Sequence, residues 1–344
     1  MKIVIDKTIP FIEGVFEPYA DVIYLLPEEI RPEDIRDASA LMVRSRVRCD
    51  EALLKDSGVK IISKPSIGTD NIDIEYCNAH GIFVSNASGS NSGGVMNYVF
   101  SALYGIAARR GISLDGMTIG IVGLGHSGSK VQNTARLLGF KTLACDPKRE
   151  QEEHSAEFCD IDYLLRNSDI VTLHLPLNAR TKGLANSEFF SKMKLGAIFI
   201  NASRGEIVDE EALIDARQKL STIIIDTWAN EPNINKELLK IADIATPHVA
   251  GYSYQGKQRS TAMAVKAVAR YFGIKELFDF FPVSEVEGLQ SVKLELSGRT
   301  QGDIASVLQY NYPIFTDDFM FRINPDNFLE MRRNYRYRRE FIIL

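Results

Sequence analysis

The stretch GIVGLGHSGSKV, residues 120–131, decides the fold, because it places three glycines in a G-x-G-x-x-G pattern between two predicted elements. A β-branched run from Thr118 to Val122 predicts a strand at its start. Apolar residues at helical spacing predict a helix at its end, namely Val131, Ala135 and Leu138. A glycine turn between a strand and a helix is typical of a dinucleotide-binding sheet, although the pattern alone is a weak indication.

The residues of this loop have separate expected roles. Gly123 permits the tight turn, Gly125 lets the backbone approach a pyrophosphate, and Gly128 lets the helix pack closely on the strand. His126 and Ser127 would contribute backbone N–H groups at the helix N-terminus, where phosphates bind well. The loop therefore predicts a phosphate cradle in which backbone atoms matter more than side chains.

An acidic residue strengthens this interpretation. Asp146 stands 18 residues beyond Gly128, at the end of the next predicted strand. There a carboxylate would accept both ribose hydroxyls and repel a 2′-phosphate, so NAD is favoured over NADP. The alternatives are an Asp that only starts the turn Asp146-Pro147, and a 2′-phosphate held by the nearby Lys148 and Arg149.

Two sets of short β-branched runs are separated by segments of helical period. The first set lies at residues 2–6, 21–26, 40–44, 59–63 and 82–86, and the second at 118–122, 141–145, 170–175, 197–201, 222–226 and 244–246. Strands that alternate with helices predict parallel sheets covered on both faces. We therefore predict an α/β protein with two doubly wound, Rossmann-like parallel-sheet domains and a small α+β segment at the C-terminus.

Composition excludes several classes of protein. The chain has 344 residues and a net charge of −5, with 45% hydrophobic and 25% charged residues, which is typical of a soluble globular protein. The acidic balance disfavours nucleic acid as a partner, and no apolar run approaches the roughly 20 residues of a membrane span. The four cysteines form no C-x-x-C pair, so we expect no zinc site and a reducing cytoplasm.

Three polar residues follow strands of the second predicted sheet, where the ligands of open α/β sheets bind: Arg204, Glu231 and His248. An arginine can hold a carboxylate and the neighbouring oxygen. A histidine can take a hydroxyl proton while a glutamate orients its ring. Taken singly, each residue has an ordinary alternative, which is a surface ion pair for Arg204, a solvated turn for Glu231 and a chain reversal for His248.

Five segments resemble, in order and spacing, those of the D-isomer-specific 2-hydroxyacid dehydrogenases. They are SIGTDNID (66–73), GIVGLGHSG (120–128), NASRGEIVDEEAL (201–213), DTWANEP (226–232) and TPHVAGYS (246–253). The resemblance implies that Arg204, Glu231 and His248 are catalytic, with His248 as proton donor or acceptor. It also implies substrate contacts from Ser45, Ser66 and Tyr252, and NAD contacts from Asp146, Leu175, Asp226 and Gly251 beside the glycine loop.

The same resemblance suggests the domain organisation. We expect a substrate-binding domain at residues 1–94 and 253–280, an NAD-binding domain at 95–252, and a C-terminal dimerisation domain at 281–344. This last domain ends some tens of residues earlier than is usual in the family. Asn97 stands where the family usually has Glu, so a charge that would help to order the helix between the domains is absent. The predicted assembly is a homodimer.

Two groups of arginines are candidates for binding a phosphate. Arg44, Arg46 and Arg48 alternate at a predicted strand end, which would place all three on one face beside Ser45. Solvated surface arginines are the alternative there. The second group lies near the C-terminus, and a helix would give Arg332, Arg336 and Arg339 a common face. The favoured role for this second group is a solvated or intersubunit helix, and one of its arginines is a candidate for the substrate phosphate.

These interpretations converge on an NAD-dependent dehydrogenase whose substrate is a small phosphorylated sugar acid, oxidised at the carbon beside its carboxylate. One alternative is a dehydrogenase for another D-2-hydroxy acid, chiefly 3-phosphoglycerate. An alternative of another class is a regulatory binding protein that senses NAD(H). The intact set of Arg204, Glu231 and His248 disfavours a purely regulatory role.

Overall fold

The computed structural model describes residues 1–153, 157–283, 290–296 and 298–344. Its strands are β1 (Lys2–Asp6), β2 (Asp21–Leu25), β3 (Ala40–Met42), β4 (Ile61–Lys64), β5 (Phe83–Asn86), β6 (Thr118–Val122), β7 (Lys141–Cys145), β8 (Ile170–Leu173), β9 (Ile198–Asn201), β10 (Thr222–Ile225), β11 (Ile244–Ala245), β12 (Val292–Leu294) and β13 (Phe341–Ile343). Its helices are α1 (Pro32–Ile35), α2 (Glu51–Leu54), α3 (Ile74–Ala79), α4 (Ser92–Arg110), α5 (His126–Leu137), α6 (Pro147–Glu153), α7 (Ile161–Asn167), α8 (Ser187–Lys192), α9 (Glu210–Asp215), α10 (Lys236–Ile241), α11 (Tyr254–Phe272), α12 (Gln301–Asn311), α13 (Ile314–Ile323) and α14 (Phe328–Arg333).

The first compact unit comprises Met1–Asn91 and Tyr254–Gln290. Its five strands are all parallel and lie in the order β2-β1-β3-β4-β5. Side chains of β1 alternate between two apolar clusters, with Val4 on one face and Ile3 and Ile5 on the other. Helix α11 supplies Val265 to the second cluster. The sheet is therefore covered on both faces, as predicted for a doubly wound domain.

The second unit comprises Ser92–Ser253 and Ser291–Leu344. Its main sheet has six parallel strands in the order β11-β10-β9-β8-β6-β7. The strand order reverses at β6, because β7 lies on one side of it and β8 on the other. Ligands of such sheets bind at the carboxyl ends of the strands near this reversal. The glycine loop follows β6 directly, so the fold places it at that point.

The two parallel sheets confirm the predicted fold class, and the observed strands begin and end within about two residues of the predicted ones. The two units divide between Asn91 and Ser92 and between Ser253 and Tyr254, against predicted boundaries of 94/95 and 252/253. Among the described residues, no helix combines the length and hydrophobicity needed to cross a membrane.

The C-terminal segment differs from the prediction of a separate domain at 281–344. Residues from Ser291 onward belong to the second unit. Leu308 and Phe341 share one apolar cluster with α4 and β6, and Phe321 and Phe328 share another with Trp228. The physical reason is that the two-stranded β12-β13 sheet and three short helices bury their apolar faces against the larger unit instead of forming a core of their own.

Asn97 holds helix α4 in place at the position where the family usually has Glu. Its side chain is buried in α4, where Nδ2 donates to the Phe341 carbonyl at 2.8 Å and Oδ1 accepts from the Phe341 N–H at 3.0 Å. An amide can donate and accept at once, whereas an ionised carboxylate can only accept. The side-chain amide of Asn97 therefore ties α4 to strand β13 by bonding to both the N–H and the carbonyl of Phe341.

Candidate active site

The glycine loop has the backbone that the sequence pattern predicts. Gly123 has a φ of +91°, and a Cβ added there would lie 2.6 Å from the His174 carbonyl oxygen. A Cβ on Gly128 would overlap the Gly123 carbonyl oxygen. Gly125 is exposed and has open space where its Cβ would stand, directly before the 12-residue helix α5. Backbone strain thus accounts for Gly123 and close packing for Gly128, whereas Gly125 leaves room for a ligand.

The loop is pinned to the rest of the unit through Leu124, a residue that sequence reasoning did not single out. Its N–H donates to Asp146 Oδ2 at 2.8 Å. Its carbonyl accepts from Ser129 Oγ at 2.9 Å and from Arg149 Nη1 at 2.7 Å. The guanidinium of Arg149 is also paired with Glu153 at 2.6 Å. Asp146 and Arg149 therefore hold the loop in shape, while Asp146 remains partly exposed at the end of β7.

Arg204, Glu231 and His248 stand in the loops that follow β9, β10 and β11, which are adjacent strands of the second sheet. The carboxyl ends of β9, β10 and β11 therefore lie at the same edge of the sheet. Gly205 allows the first two loops to approach, because a Cβ there would overlap the backbone of Trp228. Trp228 Nε1 donates to the Thr246 carbonyl at 2.9 Å, which connects the second loop to the third.

His248 and Glu231 form a directly bonded pair. His248 Nδ1 lies 2.9 Å from Glu231 Oε2 and 3.1 Å from Oε1, and the carboxylate requires that Nδ1 carry the hydrogen. Glu231 Oε1 also accepts from the Trp228 N–H at 3.0 Å. Burial alone would raise the pKa of Glu231, but His248, the Trp228 N–H and Arg332 together hold that pKa below its ordinary value. Glu231 is thus an anion that fixes the tautomer of the imidazole.

Asp226 organises the loop that carries His248. Its carboxylate is fully buried and accepts from Thr246 Oγ1 at 2.6 Å, from the Val249 N–H at 2.8 Å and from the Ala250 N–H at 2.9 Å. His248 itself adopts a left-handed backbone with a φ of +56°, which is unfavourable for a residue with a Cβ. Asp226 is therefore a support for this strained turn, and its direct contact with NAD stays a prediction.

We expect Asp226→Asn to destabilise the second unit by about 1–3 kcal/mol. In the wild-type chain the carboxylate accepts from each buried N–H or hydroxyl, whereas the amide of asparagine would turn its own NH₂ donor toward one of them. Urea unfolding measures this loss. Asp160→Asn is the matched control, because Asp160 is exposed and caps α7 by accepting from the Tyr163 N–H at 2.8 Å, which Asn does equally well. Equal unfolding midpoints for the two variants would contradict the role assigned to Asp226.

The guanidinium of Arg204 stays close to its own loop, with Nη1 donating to the Ser203 carbonyl at 2.8 Å. Asn201 Nδ2 donates to the Arg204 carbonyl at 3.0 Å, and Asn201 Oδ1 accepts from the Ser203 N–H at 3.1 Å. Asn201 is the last residue of β9 and is buried. The strand end thus sets the position of the arginine backbone through a single amide side chain.

The C-terminal segment lies against Glu231 and against the residues that follow His248. Helix α14 ends at Arg333, so the helical face expected for Arg332, Arg336 and Arg339 does not exist. Arg332 Nη1 lies 3.6 Å from Glu231 Oε2. Arg338 is half-buried and donates to the carbonyls of Val249, at 3.2 Å, and of Ala250.

Tyr252, predicted to contact the substrate, is surrounded by side chains of the same segment. Its ring lies 5.8 Å from that of Tyr335 and 6.1 Å from that of Tyr337, both edge to face. The Arg332 guanidinium lies over it at 5.8 Å. Gly251, a predicted NAD contact, immediately precedes Tyr252 and is partly exposed, as is Leu175 after β8. Their cofactor contacts stay predictions.

The arginines predicted to form an anion trap at the end of β3 do not lie along an extended strand as predicted, and their contact with a phosphate stays a prediction. The strand ends at Met42 and the chain turns at Ser45 and Arg46, so the arginines do not alternate along an extended backbone. Each guanidinium has its own partner: Arg44 with the Thr8 carbonyl at 3.1 Å, Arg46 with Glu28 at 3.2 Å and Arg48 with Asp50 at 2.6 Å. The turn is held by Asp6, which accepts from the Arg44 N–H at 3.2 Å.

Ser66 begins the SIGTDN loop of the first unit. Its hydroxyl oxygen is buried and has no hydrogen-bond partner in the described part of the chain, which fits a group that binds a ligand. Lys64 is buried beneath the loop, and its ammonium donates to the Gly68 carbonyl and to Asn71 Oδ1. Sequence reasoning missed Lys64. A lysine at the end of a buried strand is nevertheless a signal for a role in holding a loop, because a buried lysine needs partners for its ammonium.

The chain was compared with known proteins. The family model described as D-isomer specific 2-hydroxyacid dehydrogenase, NAD binding domain, matches residues 102–250. An erythronate-4-phosphate dehydrogenase of Bacteroides fragilis is 40% identical over 347 residues, which cover 99% of this chain and 97% of the relative. An enzyme of the same name from Escherichia coli O127:H6 is 36% identical and covers 99% and 92%.

A solved structure shows the same fold. The NAD⁺-bound 3-phosphoglycerate dehydrogenase of Entamoeba histolytica is 29% identical, with a TM-score of 0.68, over 83% of this chain and 99% of that chain.

Proposed function

The chain belongs to the D-isomer-specific 2-hydroxyacid dehydrogenase family, and from this premise we propose that it oxidises 4-phospho-D-erythronate in pyridoxal 5′-phosphate biosynthesis. It is an NAD-dependent oxidoreductase that acts on a CH–OH group. The observation that carries the proposal is the bonded Glu231–His248 pair at the sheet edge where ligands bind, in a chain that matches enzymes of this activity over 99% of its length.

The chemistry proposed for the chain's own residues follows from this geometry. Arg204 binds the C1 carboxylate and the C2 oxygen with its fork of donors. Glu231 holds the hydrogen on His248 Nδ1, which leaves Nε2 as the base that takes the C2 hydroxyl proton. NAD, when bound, supplies the acceptor for the C2 hydride. The product is the 2-oxo acid, (R)-3-hydroxy-2-oxo-4-phosphooxybutanoate.

The residues present fit this cofactor. The open space at Gly125 and the N-terminus of α5 suit a pyrophosphate, and the partly exposed Asp146 suits the ribose hydroxyls. The proposed cofactor contacts are Gly123, Gly125, His126, Ser127, Gly128, Asp146, Leu175, Asp226 and Gly251. The proposed substrate contacts are Arg44, Ser45, Arg46, Ser66 and Tyr252. Arg44 and Arg46 would have to exchange their present partners for the substrate phosphate.

A panel of sugar acids tests the substrate. We expect NADH formation with 4-phospho-D-erythronate at a kcat/KM about 100-fold or more above that with 3-phosphoglycerate, because a site built for a longer hydroxylated chain leaves polar groups unpaired around the shorter acid. Unphosphorylated D-erythronate is the control for the phosphate. A preference for 3-phosphoglycerate would contradict the proposed substrate and leave the family assignment intact.

We propose that the enzyme works as a cytoplasmic homodimer. Exposed apolar side chains on the C-terminal segment, among them Tyr310, Phe319 and Leu329, support a contact between copies. Light scattering on the purified chain measures its mass in solution, and a monomeric mass at micromolar concentration would refute the dimer.

A further inference from the structure

A second cation reaches the catalytic carboxylate from the C-terminal segment. Arg332, near the end of α14, places Nη1 3.6 Å from Glu231 Oε2, the same oxygen that accepts from His248 Nδ1 at 2.9 Å. The side chains of Arg332 and Glu231 are only 25% and 19% exposed, so solvent screens this ion pair weakly. Glu231 is thus shared between the imidazole and a permanent positive charge.

Aromatic side chains hold the guanidinium in this position. It lies 5.8 Å from the ring centre of Tyr252 and 5.7 Å from that of Phe328. Its Nε is buried and has no hydrogen-bond partner among the residues that the structure describes. Arg332 is therefore held by packing and by its ion pair with Glu231. A buried polar group that lacks a partner, such as this Nε, is often found at a functional site.

We propose that Arg332 is a positioning residue for proton transfer. Its ion pair with the Glu231 carboxylate weakens the electrostatic stabilisation that this carboxylate gives to protonated His248. The inference rests on the proposed function, which makes His248 the base. A buried carboxylate that is hydrogen-bonded to an imidazole favours the protonated form of the imidazole. The arginine offsets this effect without removing the hydrogen bond that orients the ring.

Charged groups on several elements face this pair. Asp226, at the end of β10, interacts electrostatically with His248, and Glu210 of α9 interacts with Glu231. Burial raises the pKa of both carboxyl groups, and each of them, when ionised, favours the protonated form of a nearby imidazole. Arg332 adds a positive charge beside Glu231 that opposes these acidic groups.

Titration of the cofactor-free protein by NMR tests this directly. We expect Arg332→Gln to shift the midpoint of the His248 imidazole upward by about 0.5 to 1 pH unit, and the His248→Gln variant identifies the resonance. Arg333→Gln is the matched control, because Arg333 is the next residue, is exposed and makes no ion pair within the described part of the chain. An unshifted midpoint in Arg332→Gln overturns the proposal.

Kinetics provide a second readout. The acidic limb of kcat/KM against pH should move upward in Arg332→Gln by the same amount, with a loss of about 3- to 10-fold at pH 6 that disappears above pH 9. Arg332→Lys should restore most of the profile because it keeps the charge. A raised KM for the phosphorylated substrate with an unmoved profile would assign Arg332 to the phosphate and refute the positioning role.

The two readouts separate the inference from the function on which it rests. If the wild-type chain does not oxidise 4-phospho-D-erythronate, the proposed substrate fails, while the NMR titration still decides whether Arg332 controls His248. If the wild-type enzyme is active and both readouts are unmoved, the inference alone fails.

Discussion

His248→Ala should lower kcat by about two to four orders of magnitude while the affinity for NADH stays within about threefold of wild type. The proposed mechanism assigns the substrate proton to the imidazole, because Glu231 fixes the ring hydrogen on Nδ1 and leaves Nε2 as the base. The glycine loop and Asp146, which we assign to the cofactor, are untouched by the substitution. Single-turnover NADH formation measures the first quantity, and quenching of intrinsic fluorescence by NADH measures the second.

His80→Ala is the matched control for this experiment. His80 is exposed in the first unit, and its ring stacks on Tyr76 at 4.0 Å. The same substitution there should leave kcat unchanged. Turnover by His248→Ala within tenfold of wild type would remove His248 from the role of base.

Arg338→Met should destabilise the second unit by about 3 kcal/mol or more. The buried guanidinium donates to the carbonyls of Val249, Ala250 and Gly94, and it lies 3.8 Å from the ring centre of Tyr312. Methionine fills similar space but leaves these carbonyls without donors. The urea unfolding midpoint, together with the slope of the transition, measures the loss.

The effect of Arg338→Met should extend to catalysis, because Val249 and Ala250 follow His248 directly and Asp226 accepts from both of their N–H groups. Arg336→Met is the matched control, since Arg336 is exposed and lies two residues away. If the two variants unfold at the same urea concentration, the C-terminal segment does not support the catalytic loop.

The Arg338 result also bears on the domain organisation. A C-terminal segment that formed a separate domain could be removed without unfolding the rest. The structure instead buries Leu308 and Phe341 with residues of α4 and β6 in one cluster. We therefore expect removal of this segment to abolish folding of the second unit, so substitutions are the appropriate test of its arginines.

Local sequence patterns were sufficient for much of this protein. The β-branched runs predicted the strands because a short run between turn residues has few other stable conformations. The glycine loop was predictable because only glycine tolerates the φ of Gly123 and the contact at Gly128. The NAD assignment and the family resemblance, both inferred from short segments, are confirmed by the family model and the curated relatives.

Arginine placement was less predictable, because an arginine's role depends on which partners the fold brings near it. Arg44, Arg46 and Arg48 suggested an anion trap from their spacing, yet a turn at Ser45 separates them. Arg338 belongs to the arginine-rich stretch near the C-terminus that suggests a solvated or intersubunit helix, whereas it is half-buried and donates to the carbonyls of Val249 and Ala250. Composition and spacing carry no information on contacts between residues that are far apart in sequence.

The sequence by itself determined the two parallel sheets, the dinucleotide loop and the placement of Arg204, Glu231 and His248 after neighbouring strands, because each depends on residues close together along the chain or at the ends of such strands. The catalytic roles of these three residues stay predictions. Only the tertiary structure decided that the C-terminal segment supports the catalytic loop. That contact joins Arg332 to Glu231 and Arg338 to Val249 across about 90 to 100 residues. It exists because the segment has too little apolar surface for a core of its own and packs on the larger unit.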